Sequence, residues 1–376
     1  MDACLPGRVL PPHLPGAPPG RTFLLALGKA AIEMAAAVEE RWPGPLSGLA
    51  VAPRGGRGSL RRVDVLHADH PVPGTDSLTA ARRLLALAEE AGPDDLVLLL
   101  LSGGASSLAC LPGEGLDLPE KKRLTEALLR SGAAIGEINC VRRHLSRFKG
   151  GRLALACAPA RLVTLAISDV VGDRPEDIGS GPTAADPSTL DEARAILERY
   201  SIPAPKRGWS ETAPRVPGEY RIVARAADAL AAAAAEAERL GYPVRLLECE
   251  GEAREVGREH AAIASAMAPG AALISGGELT VTVRGKGTGG PNQEYALAAA
   301  LALEGRPGTC GLAADTDGID GFSHAAGAFF EGGADLAGAE AALEDNDSTP
   351  WLERRGDLFV TRPTGTNVND LRIILT

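Results

Sequence analysis

The stretch LVLLLLSGGASS, residues 96–107, decides the fold, because six consecutive aliphatic residues run directly into two glycines and three serines. A short, uninterrupted apolar run is typical of a strand buried on both faces of a parallel sheet. Ligands of parallel α/β folds bind at the carboxyl ends of strands, so Ser102–Ser107 is the first candidate site. Its glycines let backbone N–H groups converge on an anion, and the serines add donors. A tight strand-to-helix turn without a ligand is an equally good interpretation of this loop alone.

The same alternation of short aliphatic runs and helix-length segments extends through almost the whole chain. This pattern predicts an α/β fold with a largely parallel sheet that helices cover on both faces. We predict strands over residues 22–27, 48–52, 63–66, 96–101, 162–167, 221–224, 244–247, 271–274, 279–284, 310–314, 358–361 and 371–375. We predict helices over residues 30–42, 76–91, 119–134, 190–200, 226–240, 252–268 and 291–303.

A proline-rich segment without periodicity, residues 202–220, predicts a boundary between two domains. We place the domains at residues 1–215 and 216–376. Beyond the boundary, the strand at 279–284 follows the strand at 271–274 after a very short turn. That spacing predicts an antiparallel hairpin, and therefore a mixed sheet in the C-terminal domain. The final strand could join either domain.

Composition excludes several classes of protein. The 376 residues include 39 Lys and Arg against 49 Asp and Glu, a net charge of −10 that argues against a nucleic-acid partner. The apolar runs are strand-sized, so we expect no membrane span. The six cysteines are scattered without a Cys-x-x-Cys pair, which fits neither a zinc site nor a disulfide framework. We expect a cytoplasmic protein, with a homodimer as one option for its assembly.

A second glycine-rich segment, residues 285–290, satisfies the G-x-G-x-x-G fingerprint of dinucleotide-binding folds. The match is weak, because the preceding strand is predicted in a hairpin and no acid ends the next strand at the required distance. The segment still predicts the start of a helix, with Gly290 as N-cap, Asn292 in the first turn and Lys286 nearby. Backbone N–H groups at such a start suit a phosphate or a carboxylate.

Acidic loops follow two other predicted strands. Asp169 and Asp173 follow the strand at 162–167, and Asp315, Asp317 and Asp320 follow the strand at 310–314. Carboxylates among flexible glycines at strand ends favour a Mg²⁺ site or a general base, although a lone Asp-Gly pair is usually a turn.

Positively charged residues that could oppose these acids are common in the chain, and most surface Lys and Arg carry no function. Lys29 is better placed than most, because it stands between a predicted strand and a predicted helix. The basic cluster at residues 142–152 has no such position. We interpret His67, His70, Cys110 and Cys140 as structural.

Taken together, the motifs resemble the glycerate 2-kinase family with a C-terminal MOFRL domain, whose members are often labelled hydroxypyruvate reductase. The resemblance covers nearly the whole chain and rests on segments in the same order, namely 28–31, 70–73, 101–106, 139–146, 149–151, 168–170, 180–183, 289–294, 316–321 and 363–370. It implies a Rossmann-like three-layer α/β/α domain with a mainly parallel sheet, and a smaller mixed-sheet MOFRL domain at about residues 270–370. It also implies a site in the cleft between the domains.

The activity that the resemblance implies is Mg²⁺-assisted, ATP-dependent phosphorylation of D-glycerate to 2-phosphoglycerate. Lys29, Asp169, Asp317 and Asn367 fall on positions proposed to line that site. Two departures stand out: Pro291 replaces an Arg of some relatives, and Arg362 replaces a usual Gly. The cation that Pro291 lacks would then have to come from Lys29, Lys286 or Arg362.

We expect anionic groups of ATP to be held at two loops, and the residues assigned to them are Ser102, Gly103, Gly104, Ser106, Lys286, Gly289, Gly290 and Asn292. Asp169 and Asp173 are assigned to Mg²⁺. Asp317 would orient or deprotonate the hydroxyl of glycerate, and Lys29 would bind its carboxylate or the moving phosphate.

Two other functions remain open. The first is an NAD(P)H-dependent hydroxypyruvate reductase, which the label on relatives and the weak fingerprint support. The second is a non-enzymatic module that binds small anions, which leaves the acidic loops unexplained because buried carboxylates are costly without partners.

Overall fold

Two six-stranded sheets organise the chain in the computed structural model, which describes residues 2–56 and 58–376. The strands are β1 (Thr22–Leu27), β2 (Leu46–Pro53), β3 (Asp64–Ala68), β4 (Leu96–Leu101), β5 (Arg161–Ile167), β6 (Glu219–Ala224), β7 (Val244–Glu248), β8 (Gly251–Glu252), β9 (Ala272–Gly276), β10 (Leu279–Thr280), β11 (Cys310–Asp315), β12 (Gly327–Glu331), β13 (Leu358–Phe359) and β14 (Asp370–Leu375). The α-helices are α1 (Pro6–Val9), α2 (Ala31–Arg41), α3 (Thr75–Glu90), α4 (Ala105–Leu108), α5 (Leu118–Arg130), α6 (Ile135–His144), α7 (Arg152–Ala156), α8 (Leu190–Arg199), α9 (Ala226–Arg239), α10 (Ala253–Ser265), α11 (Pro291–Ala302), α12 (Ala339–Glu344) and α13 (Ser348–Arg355).

The chain divides into two compact units, which we call the N-terminal unit (residues 6–224) and the C-terminal unit (residues 2–5 with 225–376). The sixth strand of the first sheet, β6, lies beyond the predicted boundary at residues 215 and 216 and pairs with β5. The predicted pair of functional domains stays a prediction.

The sheet of the N-terminal unit is entirely parallel, with the order β3-β2-β1-β4-β5-β6, which confirms the predicted Rossmann-like α/β fold. Every residue of β1 and β4 is buried, as expected for strands covered on both faces. One face packs Leu25 and Leu99 against α3 in the main core. On the other face, α2 contacts β1 and β4.

The sheet of the C-terminal unit has the order β13-β12-β11-β14-β9-β7 and is mixed, as predicted. Its antiparallel pairs join β13 to β12, β12 to β11, β11 to β14, and β14 to β9, and its parallel pair joins β9 to β7. The final strand, β14, therefore lies at the centre of the second sheet.

The predicted hairpin between 271–274 and 279–284 is wrong. Only Leu279–Thr280 is extended as a strand, and it pairs in parallel with β8 in a separate two-stranded sheet. The reason lies at Gly277, whose φ is +99° and which passes so close to Cys249 that a Cβ would lie 2.0 Å from the Cys249 carbonyl oxygen. The chain turns towards β8 there instead of returning along β9.

No helix within residues 2–56 and 58–376 combines the length and the hydrophobicity needed to cross a bilayer. The prediction missed the strands β8 and β12 and the helices α1, α4, α6, α7, α12 and α13. It also gave β10 too many residues, because the apolar alternation at 281–284 is not accompanied by a partner strand.

Candidate functional site

Lys29 is held at the carboxyl end of β1 by the loop that follows β4. The Lys29 amide donates to the carbonyl of Gly103 at 2.8 Å, and the Ala30 amide donates to Oγ of Ser102 at 3.1 Å. These contacts follow from the sheet order, because β1 and β4 are parallel neighbours and their ends meet at one edge. Ser102 is buried, and its hydroxyl holds the Lys29 loop in place.

Two glycines allow the close approach of these loops. A Cβ on Gly28 would lie 2.1 Å from Oγ of Ser102. Gly104 has a φ of +78°, and a Cβ there would lie 2.9 Å from Nε2 of His70 and 3.3 Å from Cγ of Lys29. Lys29, Gly104 and His70 therefore lie together, and His70 belongs beside the candidate site rather than to a remote structural loop.

Ser106 lies in the short helix α4 that follows Gly104. Its hydroxyl is 2.9 Å from that of Ser180, which lies 3.3 Å from Oδ1 of Asn139. The carbonyl of Ser106 accepts a hydrogen bond from Nζ of Lys149 at 2.7 Å. The predicted loop thus has a well-ordered scaffold, with a buried lysine beneath it.

A cavity of about 270 Å³ opens beside this loop, inside the N-terminal unit. Its lining includes His70 and Pro71–Pro73, together with Gly104, Ser106 and Ser107 from the loop. The helices α5 and α6 supply the opposite wall, which carries Lys121, Lys122 and Arg142.

The sequence pattern does not single out Lys121 or Lys122, and it predicts an ordinary surface for the basic cluster at 142–152, which includes Arg142. Lys149 and Lys121 are instead almost fully buried. One signal was available for Lys121, because it falls on the same helical stripe as Leu124 and Leu128, at i, i+3 and i+7. Elsewhere in the cluster, Arg143 is buried against the carboxylates of Asp177 and Asp186 at 3.0 and 2.7 Å.

Asp169 and Asp173 lie in the loop that follows β5, and both are half-buried. The Asp173 amide donates to the carbonyl of Val170, which folds the loop back on itself. Among residues 2–56 and 58–376, no three His, Cys, Asp or Glu side chains form a group that could hold a metal ion. The donors do fit Mg²⁺, which is commonly bound by one or two carboxylates together with substrate phosphates and water.

Asp317 and Asn367 lie on two loops of the C-terminal unit that are hydrogen-bonded to each other. The Thr364 amide donates to the carbonyl of Asp317 at 3.1 Å, and the Val368 amide donates to Oγ1 of Thr316 at 2.9 Å. Oδ1 of Asp317 accepts from the Ile319 amide at 2.9 Å. The structure therefore brings together the two loops on which these predicted residues lie.

The start of α11 does not present the free amides that we predicted. The amides of Asn292 and Gln293 donate to the carboxylate of Asp320 at 3.0 and 2.9 Å, and both side-chain amides donate to it as well. An acidic group at a helix N-terminus satisfies exposed N–H groups and interacts favourably with the helix dipole. The anion at this position is thus part of the protein.

The N-cap of α11, Gly290, leaves room for the Asp320 carboxylate, because a Cβ at this position would lie only 2.3 Å from the Asp320 carboxyl carbon. Burial raises the pKa of Asp320 to about 6, although the two amides act in the opposite direction. The side chain of Asn292 also donates to Asp370 at 2.8 Å, and Asp370 in turn pairs with the buried Arg372 at 2.5 Å. Asn292 thus bridges two buried carboxylates.

The glycine-rich segment before α11 is likewise bonded to its own chain. The amide of Lys286 donates to Asp345, and the amide of Gly285 donates to Oδ1 of Asn346. Gly289 packs against Ser348, where a Cβ would lie 2.2 Å from Oγ. No strand of the structure covers residues 281–284, so this segment lacks the strand–turn–helix context of a dinucleotide site.

Fold and site define an α/β protein with a lysine, an ordered glycine–serine loop and acidic loops at the carboxyl ends of its strands. Residues 2–208 match the family described as a domain of unknown function (DUF4147), and residues 271–370 match the MOFRL family. The chain belongs to this DUF4147–MOFRL family, the family of glycerate 2-kinases that its motifs resemble.

Relatives extend over the full chain. It is 41% identical to the D-glycerate 2-kinase of Thermotoga maritima, over 99% of this chain and 95% of that protein. It is 46% identical to an Agrobacterium vitis protein provisionally named a hydroxypyruvate reductase, over 96% of this chain and 89% of that protein. The crystal structure of a glycerate kinase from Thermotoga maritima superposes with a TM-score of 0.90 at 39% identity, covering 100% of this chain and 96% of that one.

Proposed function

We propose that this protein transfers the γ-phosphoryl group of ATP to the 2-hydroxyl of D-glycerate, giving 2-phosphoglycerate. The observation that carries the proposal is the fixed position of Lys29. Its backbone is tied to Ser102 and Gly103 at the carboxyl end of β1. The full-length similarity to a D-glycerate 2-kinase supplies the substrate.

Phosphoryl transfer requires positioning and neutralisation of charge more than covalent chemistry by the protein. Lys29 supplies a positive charge from a backbone held by two strand-end loops, so its ammonium group is a pre-organised partner for the glycerate carboxylate or the transferring phosphoryl group. The Gly104–Ser107 turn lies beside it, and its backbone N–H groups are donors for the same anionic groups.

Asp317 is the group that we assign to the 2-hydroxyl of glycerate. It would accept the hydroxyl proton, while Asn367 orients the substrate by hydrogen bonding. Lys29 belongs to the N-terminal unit and Asp317 to the C-terminal unit. We propose that both act on one substrate complex, as the resemblance implies.

Asp169 and Asp173 are the residues that we assign to Mg²⁺, and their carboxylate oxygens are the donors that this ion prefers. When bound, Mg²⁺ would neutralise charge on the phosphates of ATP. The two aspartates would position those phosphates relative to Lys29.

The reductase alternative has less support. The dinucleotide fingerprint at 285–290 is hydrogen-bonded to residues 345–347. The α11 amides that would face a pyrophosphate are bonded to Asp320. Among the residues assigned to ATP, Gly104 and Ser106 line an open cavity, so we assign the anionic groups of ATP there.

The proposal that Lys29 and Asp317 act together is tested by the variants Lys29→Ala and Asp317→Ala and their combination. Residues that act as one catalytic unit have strongly non-additive effects, so the double variant should be little slower than the slower single variant. Losses in kcat that multiply would contradict a shared site. Oxidation of NADH with hydroxypyruvate, measured on the same samples, tests the reductase alternative and should stay at the background rate.

A further inference from the structure

The cavity beside the Gly104 loop contains an unusual concentration of positive charge. Lys121, Lys122, Arg142 and Lys149 line it, together with His70, and Glu126 is the carboxylate that accompanies them. Within residues 2–56 and 58–376, none of the four cations lies within 4 Å of a carboxylate in an ion pair.

The two buried lysines are held by carbonyl groups instead of acids. Nζ of Lys121 donates to the carbonyls of Arg142 and Leu145 at 3.2 and 2.6 Å. Nζ of Lys149 donates to the carbonyls of Ser106 and Ala109 at 2.7 and 3.2 Å. A protonated lysine has three donors, so each retains one N–H after these bonds.

Burying such a cluster without counter-charge is costly. Burial, together with repulsion from the neighbouring Lys121 and Arg142, lowers the pKa of Lys149 to about 7, while Cys110 acts in the opposite direction. Burial likewise lowers the pKa of Lys121 to about 8. A bound anion would relieve this repulsion, and strongly perturbed cations in a cavity are typical of functional sites.

Volume and lining limit what the anion can be. The cavity, at about 270 Å³, lies near the lower end of the roughly 300–1,000 Å³ that is typical of small-molecule pockets. A three-carbon acid or its phosphate ester therefore fits. The side chains of Pro71, Val72 and Leu129 form apolar walls that would cover a short carbon skeleton.

We infer that this cavity binds a small phosphorylated organic acid through Lys122, Arg142 and Lys149. Four cations against one carboxylate suit a ligand with several negative charges better than a singly charged acid such as glycerate. The inference rests on the proposed function for one point only, the choice of 2-phosphoglycerate as the ligand to test. Held here, that product would remain beside the Lys29 loop and inhibit the next turnover.

The test is calorimetric titration without ATP, using 2-phosphoglycerate, D-glycerate and inorganic phosphate as separate ligands. The variant Lys122→Glu reverses one charge in the cavity, and Arg123→Glu is its matched control. Arg123 stands on the same helix, is exposed, and does not line the cavity. Urea unfolding of both variants verifies that they fold, and Lys122→Gln replaces the first variant if it does not.

For the wild type, we expect 2-phosphoglycerate to bind at least about fivefold more tightly than D-glycerate. Lys122→Glu should weaken it about tenfold or more, and Arg123→Glu less than about twofold. Equal weakening by both variants, or none by Lys122→Glu, overturns the inference. Inorganic phosphate that binds as tightly as 2-phosphoglycerate would identify a free-phosphate site and overturn the assignment to an organic acid.

These results are separate from those for the proposed function. If 2-phosphoglycerate binds in a way that depends on Lys122 but the protein phosphorylates no glycerate, the inferred anion site is supported and the proposed kinase activity is excluded. If the protein phosphorylates glycerate but the Lys122→Glu substitution does not affect binding of 2-phosphoglycerate, the proposed kinase activity is supported and the inferred anion site is excluded.

Discussion

Replacing Gly104 by Ala should reduce activity much more than it reduces stability. Gly104 has a φ of +78° and lies against both His70 and Lys29. Gly132, just after α5, is a matched control, because its φ is +77° and nothing lies within 4 Å of the position of a Cβ. Both substitutions force an L-residue into the left-handed region, at about 1–2 kcal/mol.

The two variants differ in the contacts of the new methyl group. In Gly104→Ala it would lie 2.9 Å from Nε2 of His70, whereas ordinary contact begins at 3.4 Å, so the neighbours must retreat by about 0.5 Å. A misplacement of about 1 Å in a catalytic arrangement can cost about 100-fold. Half of that displacement, at the loop that holds Lys29, therefore predicts a loss in kcat of about tenfold.

The assay is formation of 2-phosphoglycerate per folded molecule, with the folded fraction taken from urea unfolding. Gly104→Ala and Gly132→Ala should lose similar stability, and Gly132→Ala should keep its kcat within about twofold. If Gly104→Ala is as active as Gly132→Ala, the convergence of Lys29, His70 and Gly104 has no part in catalysis.

Three further predictions concern charged groups. Lys29→Ala should cost about 2–4 kcal/mol in the transition state, measured as kcat/KM, whereas the exposed Lys206→Ala should leave it within about twofold. Arg362 follows β13, and its carbonyl lies against Gly318, beside the Asp317 loop; Arg362→Ala should lower kcat about tenfold, and an equal effect of the exposed Arg354→Ala would exclude a specific role. Burial raises the pKa of Asp320 to about 6, so the folded chain keeps this proton to higher pH than the unfolded one. The contribution of protonated Asp320 to the free energy of unfolding should therefore decline as pH rises from about 4 to 6. Urea unfolding of Asp320→Asn should not show that decline.

The parts of the fold that depend on local pattern were predictable. The strands β1 and β4 have the predicted ends, because their aliphatic runs are continuous and end at glycine or serine. The meeting of Lys29 and Ser102 followed from the general geometry of parallel sheets, in which neighbouring carboxyl ends share one edge. Position in a parallel sheet therefore identified the most informative loop.

What could not be predicted depends on contacts between residues distant in sequence. Asp320 caps α11 from beyond the end of that helix, and no spacing in the sequence marks it as the partner of Asn292. The burial of Lys149 depends on the carbonyls of Ser106 and Ala109, which accept hydrogen bonds from its Nζ and lie 43 and 40 residues away in the sequence. Backbone acceptors leave no trace in side-chain composition, so the burial of Lys149 could not be predicted from the sequence pattern.

The central claim is that D-glycerate is phosphorylated at its 2-hydroxyl by ATP. The most direct measurement is ³¹P NMR of the products formed from D-glycerate, ATP and Mg²⁺, which resolves 2-phosphoglycerate from 3-phosphoglycerate. We predict 2-phosphoglycerate that appears with ADP and requires Mg²⁺. Formation of 3-phosphoglycerate would contradict the assigned hydroxyl, and no phosphorylated product alongside steady oxidation of NADH by hydroxypyruvate would contradict the kinase itself.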